Sequence, residues 1–551
     1  MRKQIFATDV IGEDFERWRA GEYIILRLPT GSGKSTMAKK YVLYAIRRKM
    51  RVLILVPRVI LLQQYEADMQ QMIQENFGDL IAIARLVSIK TYQQVEQRMK
   101  EIDWTEKYDL IIADEFHYLL DDAEFNPNTI YSLEFLKEQK KAIKVLISAT
   151  GEDILEFLQE EKIFRVQRIF NKECQDILET EEEMNIYISG PGCAYEYLVD
   201  AEYTDMQIEY IKSADDIVTV MTEQPKEKTM IFVQSKAIGE KVKKKLENGK
   251  WKVDYITAEN KEENAECIAY IAENRTFPSD VLIATSVLDV GVSLEDSNIK
   301  KVFLCALEKN TFLQMLGRVR RVEGRYCCKF YFCSMKASEL KNIIKKEKYN
   351  EKKQFLSTFI SENVSEEGVV DTNWLDWDTE YLKMLKYLCY RIHGRYMLNR
   401  LYVYKLFKKC KNAKEILSLL EENEDGLLQL YMRWIGREDD FSEHDFAMEA
   451  VLTERMEDLL QFLKDKVKQN EKYSSEKIRG ILNADIKAKM LLIDSKMLKS
   501  RNENLSVKKF NEFFKLRRMN IQICQEKGSD KLQKYWFEGE VEIKGGKKDE
   551  E

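Results

Sequence analysis

The sequence predicts an α/β chain: two tandem parallel-sheet units followed by a mainly α-helical C-terminal domain. Three observations carry this expectation. Short apolar runs alternate with amphipathic stretches through the first part of the chain. Each run ends on a polar or glycine-rich cluster. Beyond about residue 336 there is no proline and helical periodicity takes over.

The elements follow in order. Tyr23-Ile24-Ile25-Leu26-Arg27-Leu28 leads into a glycine loop, and Val52-Leu53-Ile54-Leu55-Val56 ends at Pro57. Asp109-Leu110-Ile111-Ile112-Ala113 ends at Asp114, and Lys144-Val145-Leu146-Ile147 ends at Ser148-Ala149-Thr150. Continuous β-branched and leucine runs indicate parallel strands covered on both faces. Doubly wound sheets of this kind carry ligand-handling residues at the carboxyl ends of their strands. The first unit is expected over 1–165 and a connector over 166–200, with the acidic run Glu179–Glu183 and the turn Gly190-Pro191-Gly192. The second unit spans 201–335, with strands at Thr229–Val233, Val281–Ala284 and Lys301–Leu304. The helical domain then runs over 336–540, and 541–551 reads as a disordered polar tail.

Bulk composition narrows the function classes. A chain of 551 residues exceeds one hydrophobic core. No window reaches the 18 apolar residues of a membrane span, and the start lacks the apolar run of a secretion signal, so the cytoplasm is the expected compartment. The 10 cysteines include no Cys-x-x-Cys pair, and Cys327, Cys328 and Cys333 fall in a strand-like stretch where thiols pack as small hydrophobes. A net charge of −6 does not exclude nucleic acid, because a local basic surface suffices.

The chemistry lies in the loops. Thr30-Gly31-Ser32-Gly33-Lys34-Ser35-Thr36 follows a strand and opens a helix. That context suits a phosphate cradle: backbone N–H groups converge on the phosphates and the helix N-terminus favours negative charge. Lys34 would reach the β- and γ-phosphates of ATP, and Ser35 would ligate Mg²⁺. Asp114 and Glu115 follow four apolar residues, where two adjacent carboxylates are costly without a cation. Asp114 is assigned to Mg²⁺ and Glu115 to the attacking water. One departure from the full phosphate-loop pattern is Leu28, where that pattern has Gly or Ala.

This ordered set resembles the superfamily 2 DExH-box helicases over residues 20–325. The resemblance implies two RecA-like domains and the following roles. Pro57, Arg58 and Gln64, with Thr91, lie where the family meets the nucleic-acid backbone. His117 couples ATP to strand movement, as does Ser148-Ala149-Thr150. Ser235 belongs to the first motif of the second domain. The run Thr285-Ser286-Val287-Leu288-Asp289-Val290-Gly291-Val292 touches both nucleic acid and nucleotide, Thr285 on the strand and Asp289 and Gly291 on the nucleotide. In Gln314-x-x-Gly317-Arg318-x-x-Arg321 the two arginines contact the γ-phosphate and Gln314 lies near the water and His117. Arg320 departs from the family, where many relatives have Gly. No cysteine lies between Lys34 and Asp114, against the iron–sulfur class of helicases.

The helical part carries a basic, aromatic stretch. No acid lies between Glu380 and Glu415, while Lys383, Arg391, Arg395, Lys405, Lys408 and Lys409 alternate with tyrosines. Such a pattern suits single-strand binding, with cations on phosphates and rings on bases. It equally suits a helix whose aromatic stripe forms core and whose lysines face water. A second cluster, Lys508, Lys509, Lys515, Arg517 and Arg518 around Phe510, Phe513 and Phe514, is a weaker candidate for the same role.

The expected activity is ATP hydrolysis to ADP and phosphate that drives movement along single-stranded or partly duplex nucleic acid, DNA ahead of RNA. Two alternatives stand beside it. One is an ATP-gated clamp whose helical domain faces a protein partner. The other is the motor subunit of a repair, restriction or phage-defence assembly.

Overall fold

Strand-forming runs of the first unit assemble where the sequence places them and acquire three further members. The computed structural model describes residues 6–29, 32–77, 85–100, 106–171, 191–199, 203–214, 216–233, 235–257, 259–260, 262–285, 294–322, 324–371, 382–442, 446–487, 489–490, 505–516, 519–527 and 533–539. The strands of the first lobe are β1 (Tyr23–Arg27), β2 (Val52–Val56), β3 (Val87–Thr91), β4 (Leu110–Asp114), β5 (Ile143–Ser148), β6 (Arg165–Asn171) and β7 (Cys193–Leu198). They form one parallel sheet in the order β3-β2-β4-β5-β1-β7-β6.

Successive side chains of a strand point to opposite faces, and here both faces are covered. Ile24, Leu26, Ile54, Ile112 and Val145 pack with Met37, Tyr41 and Val42 of the helix Lys34–Arg47. Ile25, Leu53, Leu55, Ile111 and Leu146 pack with Leu133, Phe135 and Phe157 from helices Thr129–Glu138 and Glu152–Glu160. The register sets Arg27 opposite Ser148 and Asp114 opposite Ile147, so the carboxyl ends of β1, β5 and β4 lie side by side. That alignment places the glycine loop next to both the acidic and the Ser-Ala-Thr motifs.

The connector expected over 166–200 is corrected. Its ends supply β6 and β7, and β7 pairs with β1 in the sheet interior. The acidic run lies outside the described residues.

The second lobe is also parallel, with β8 (Gln207–Ile211), β9 (Lys228–Phe232), β10 (Val253–Ile256), β11 (Val281–Ala284), β12 (Ile299–Leu304) and β13 (Lys329–Cys333) in the order β10-β11-β9-β12-β13-β8. Two tandem parallel sheets with flanking helices are the expected fold class.

The part expected as one helical domain is divided. Residues to Phe441 belong to the same compact unit as the two lobes, whereas Ser442–Glu551 forms a second unit together with Thr219–Pro225. Within the first unit, β14 (Cys389–Ile392) and β15 (Arg395–Leu398) form an antiparallel hairpin inside the stretch read as helical. Its loop is His393-Gly394, with φ of +47° and +76°. A two-residue turn of this hand needs positive φ at both positions, which Gly supplies.

The long helix Arg400–Glu422 follows, capped by Asn399 whose side chain accepts from the Tyr402 N–H at 3.3 Å. It spans both lobes: the buried Lys405 ammonium lies 3.1 Å from Asp121 of the first and 2.8 Å from Glu308 of the second. Burial alone would lower the Lys405 pKa, but Asp121 and Glu308 outweigh it and hold it above its ordinary value. Lys408 pairs with Asp153 at 2.8 Å, Lys409 with Glu124 at 2.7 Å and Arg400 with Glu161 at 2.8 Å. Tyr431, from the next helix, donates to the Ala306 carbonyl of the second lobe at 2.6 Å. The helix is a brace held by ion pairs.

The second unit has its own core, in which Phe510, Phe513 and Phe514 are buried with Leu459, Leu463, Ile521 and Phe537. Its three-stranded antiparallel sheet comprises β16 (Tyr473–Ser474), β17 (Ile521–Lys527) and β18 (Gln533–Gly539) in the order β16-β18-β17. The phenylalanines expected to stack on bases are therefore core. Arg517, Arg518 and the tail 541–551 lie outside the described residues. Among the described residues, no helix is long and apolar enough to cross a membrane.

Candidate active site

The glycine loop is built by a strand that ends and a helix that begins within a few residues. Leu28 extends β1 by donating its N–H to the Ser148 carbonyl at 3.1 Å, and its side chain is fully buried. That position therefore takes a core residue here. Gly33 sits at φ +82°, the left-handed region that glycine enters without a Cβ penalty, and the helix starts at Lys34. Ser32 Oγ and Lys34 Nζ are both buried and have no hydrogen-bond partner among the described residues. A buried ammonium without a partner is costly, so a cation held this way at a helix N-terminus fits a bound anion. Thr30 and Gly31 lie outside the described residues, as does the side chain of Ser35. Thr36 is exposed.

Asp114 ends β4 and is only 8% exposed. Tyr65 donates its hydroxyl to Asp114 Oδ2 at 3.0 Å and the Glu115 N–H donates to Oδ1 at 3.1 Å. Burial, then the neighbouring Glu115 charge, pushes its pKa up to about 6 against the pull of Lys34 and Tyr65. A divalent cation would supply the missing charge, and the site fits Mg²⁺ in that sense.

Glu115 adopts φ +49°, a strained conformation for a residue with a side chain. It is held there because the Phe116 N–H donates across to Ile147 of β5 at 3.0 Å. Burial would raise the Glu115 pKa. Lys34 first, then His117, Arg318 and Arg320, outweigh it and hold the carboxyl below its usual range. The two adjacent acids are thus driven in opposite directions.

From Glu115 a chain of polar contacts runs to the other lobe. His117 Nδ1 lies 3.4 Å from Glu115 Oε2 and 2.8 Å from Ser148 Oγ. Ser148 Oγ accepts from the Thr150 N–H at 3.0 Å, and Thr150 Oγ1 accepts from Gln314 Nε2 at 3.1 Å. Gln314 lies on the second-lobe helix Lys309–Leu316, where Lys309 and Asn310 also reach Glu152 at 2.7 Å and Asp153 at 3.2 Å. Gly151 is required beside this chain: a Cβ there would lie 2.8 Å from Phe116 Cζ.

The three arginines divide. Glu115 feels the charges of Arg318 and Arg320. Arg321 instead forms a two-point ion pair with Asp205 of its own lobe, Nη2 to Oδ1 at 2.6 Å and Nε to Oδ2 at 3.2 Å. In this structure its guanidinium is engaged by Asp205, while the γ-phosphate contact is what the resemblance implies. Asp289 and Gly291 lie outside the described residues.

Candidate nucleic-acid contacts lie mostly at carboxyl strand ends: Pro57 after β2, Thr91 ending β3, Ser235 after β9 and Thr285 after β11. Gln64 is exposed on the following helix, Val59–Phe77. Two of these residues also make contacts within the chain. Arg58 pairs with Asp122 at 3.1 Å, and the buried Thr91 hydroxyl caps the next helix by accepting from the Gln94 N–H at 3.2 Å. Arg391 and Arg395 are exposed on the β14–β15 hairpin, while the Lys383 side chain lies outside the described residues. The lysines Lys405, Lys408 and Lys409 belong to the brace. Asp205, Asp121 and Glu308 carry no motif that would have marked them as partners of these cations.

Similarity to known proteins falls on the same residues. Residues 1–153 match the family model for the type III restriction enzyme res subunit, and residues 210–323 match the helicase conserved C-terminal domain. No curated protein matches the chain. Among solved structures, S. cerevisiae Dbp5 bound to RNA and ADP BeF3 is 19% identical, covers 57% of this chain and 78% of its own, and has a TM-score of 0.39. DEAD-box helicase Mss116 bound to ssRNA and UDP-BeF is 15% identical, covers 60% and 70%, and has a TM-score of 0.41. A res-subunit family model thus falls on the first parallel-sheet lobe and a helicase C-terminal model on the second, and these matches support a superfamily 2 helicase or ATPase.

Proposed function

We propose that this chain is a DExH-type, nucleic-acid-dependent ATPase that moves along a strand and separates duplexes, with DNA ahead of RNA. The observation that carries the reading is the polar chain Glu115–His117–Ser148–Thr150–Gln314, which ties the acid of one lobe to the helix that leads into the arginine segment of the other.

Phosphoryl transfer to water needs in-line placement and charge neutralisation more than covalent help. Lys34 and the amides at the helix start neutralise the β- and γ-phosphates. Glu115, kept ionised, accepts a hydrogen bond from the attacking water. Asp114 with Ser35 would hold Mg²⁺, which supplies charge to the same phosphate oxygens. Arg318 brings positive charge from the second lobe, so hydrolysis is tied to closure of the cleft. A strand lying over the carboxyl ends of both sheets, against Pro57, Gln64, Ser235 and Thr285, is then displaced as the cleft opens and closes. Arg391 and Arg395 add phosphate contacts from the hairpin.

The res-subunit match supports a second reading, a motor subunit whose nuclease resides on another chain. It also favours DNA. Co-purification of a nuclease partner tests that arrangement.

The primary test is ATP turnover with single-stranded DNA, single-stranded RNA and duplexes at several salt concentrations, beside strand displacement. Stimulation by strands together with displacement supports a motor. Stimulated hydrolysis without displacement supports a gate, and turnover indifferent to every nucleic acid contradicts both.

A further inference from the structure

We propose that the second compact unit carries a docking site for double-stranded DNA, formed by the outer face of the helix Val507–Leu516 and the projecting end of the β17–β18 hairpin. The site belongs to Ser442–Glu551 and does not depend on the ATPase reading of the lobes.

Chain order supplies the frame. Among the described elements of this unit the order is the helix Ala447–Gln469, β16, a helix from Ser475 that runs on through Ile486, the helix Val507–Leu516, β17 and β18. The sheet order β16-β18-β17 sets the first strand beside the last, and both pairings are antiparallel. Leu459 from the first helix, Ile478 from the second and Phe513 from the third meet Ile523 and Phe537 of the sheet in one core. Three helices packed on a sheet of this order make a winged-helix arrangement.

The third helix has two faces. Phe510, Phe513 and Phe514 recur at the three- and four-residue spacing of one side and are buried. Lys508, Glu512 and Lys515 recur at the same spacing on the opposite side and are exposed. Two asparagines fix this helix in place. The Asn511 side chain donates to the Ile523 carbonyl at 3.1 Å and accepts from the Ile523 N–H at 2.8 Å. Asn483 holds the approach to the helix in the same way, accepting from the Leu505 N–H at 2.9 Å and donating to the Leu505 carbonyl at 3.5 Å.

The hairpin outruns the core. Ile521 and Ile523 are buried on β17, whereas Gln525, Glu526 and Lys527 are exposed in succession, as are Gln533 and Lys534 opposite them. Successive residues of a strand point to opposite faces, so both faces of this end stand in water. An arm of this kind adds nothing to the core; it extends the surface of the unit.

Charge and shape choose the occupant. The described residues of the helix and hairpin carry five lysines to three glutamates, in a chain of net charge −6. Lys508 and Glu512 lie 4.0 Å apart with both side chains mostly exposed, a pair weak enough to open for a phosphate. An α-helix with its side chains is about 10–12 Å across, and the major groove of B-form DNA is about 12 Å wide. The major groove of A-form RNA is too deep and narrow for side chains to read, so a helix-borne site favours DNA. On the outer stripe the lysines suit phosphates and guanine, and Glu512 between them suits the amino group of cytosine. Single strands are held instead on exposed aromatic rings, and the phenylalanines of this helix are buried.

The test uses the full chain without nucleotide. Equilibrium binding is measured for a blunt DNA duplex, an RNA duplex of the same sequence and the corresponding single DNA strand, at several salt concentrations. The double variants Lys508→Ala/Lys515→Ala and Lys527→Ala/Lys534→Ala are compared with Lys468→Ala, an exposed lysine of the first helix, and thermal melting verifies folding. The unmodified chain is expected to bind the DNA duplex at least about tenfold more tightly than the RNA duplex. The helix double variant should lower affinity for the DNA duplex by about tenfold and flatten its salt dependence by about two phosphate contacts, with single-strand binding within about twofold of the original. The hairpin double variant should weaken duplex binding by about threefold, and Lys468→Ala by less than about twofold. The proposal is overturned if the helix double variant binds the DNA duplex as the original does, which would leave this face to a protein partner. Equal loss for duplex and single strand overturns it too, as does equal affinity for DNA and RNA duplexes.

Discussion

Lys405 pairs with acids of both lobes, Lys34 stands beside the acids of the first, and the surroundings of these two cations differ. Around Lys405, Lys408, Lys409 and Arg400 stand Asp121, Glu308, Asp153, Glu156, Glu124 and Glu161, so acids outnumber the bases they hold. Beside Asp114 and Glu115 stands Lys34, whose buried ammonium is the charge left without a hydrogen-bond partner among the described residues. A region whose cations are already matched by its own carboxylates makes a brace. A region with buried positive charge left over makes a site for an anion. Composition alone does not separate the two, because both segments are basic runs in the sequence.

The largest way to break this comparison is at the surplus. Lys34→Ala is expected to abolish detectable turnover and to weaken nucleotide binding by more than tenfold, measured by equilibrium titration with Mg²⁺-ATP. Retained binding and turnover would mean that the unpartnered ammonium is not waiting for phosphate.

The next effect is on the brace. Lys405→Met leaves Asp121 and Glu308 without their shared cation, and breaking a buried pair on one side costs about 3–5 kcal/mol. Denaturant unfolding should show that loss, while nucleotide affinity of the folded protein stays close to the original. A neutral result would show that the helix is not held by these pairs.

Gln314→Ala sharpens the comparison at the relay. It removes one hydrogen bond to Thr150, a contact of about 1 kcal/mol. Stimulation of turnover by nucleic acid should fall several-fold, with unstimulated hydrolysis little altered. Equal losses in both rates would place Gln314 in chemistry rather than in coupling between lobes.

The smallest effect concerns a cation with neither acid nor ligand. Lys144 is buried, donates to the Ala142 carbonyl at 3.2 Å and faces the Tyr23 ring, and burial pushes its pKa down to about 8. The unfolded chain keeps that proton to about pH 10. Between those values the native state binds fewer protons, so its stability rises with pH relative to a variant lacking the group. Lys144→Met should therefore be more stable than the original chain at pH 7, by roughly 1–3 kcal/mol, with the gap closing by about pH 10. A gap independent of pH would contradict the assignment.

How far the sequence could be read follows from the range of each interaction. The positions of the glycine loop, Asp114 and Glu115 were legible because each directly follows an apolar strand, and strand ends in a parallel sheet converge. Gln314 near His117 was legible only through family resemblance, and the structure supplies the intermediates Ser148 and Thr150. The hairpin at 389–398 had a local signal, His393-Gly394 between aromatic residues, that helical periodicity masked. Strands β6 and β7 were hidden because the acidic run between them reads as a linker. Lys405 with Asp121 is separated by 284 residues and Arg321 with Asp205 by 116, and no local pattern points from one to the other. The basic stretch was therefore open to two readings, and for its lysines the burial of Lys405 decides for the brace.

The most direct measurement is single-turnover hydrolysis by Arg318→Ala at saturating Mg²⁺-ATP and single-stranded DNA, with nucleotide binding determined on the same preparation. If the lobes share one nucleotide, binding stays near normal while the rate falls by ~10³-fold or more. Near-normal turnover with normal binding would show that the second lobe contributes nothing to the reacting phosphate.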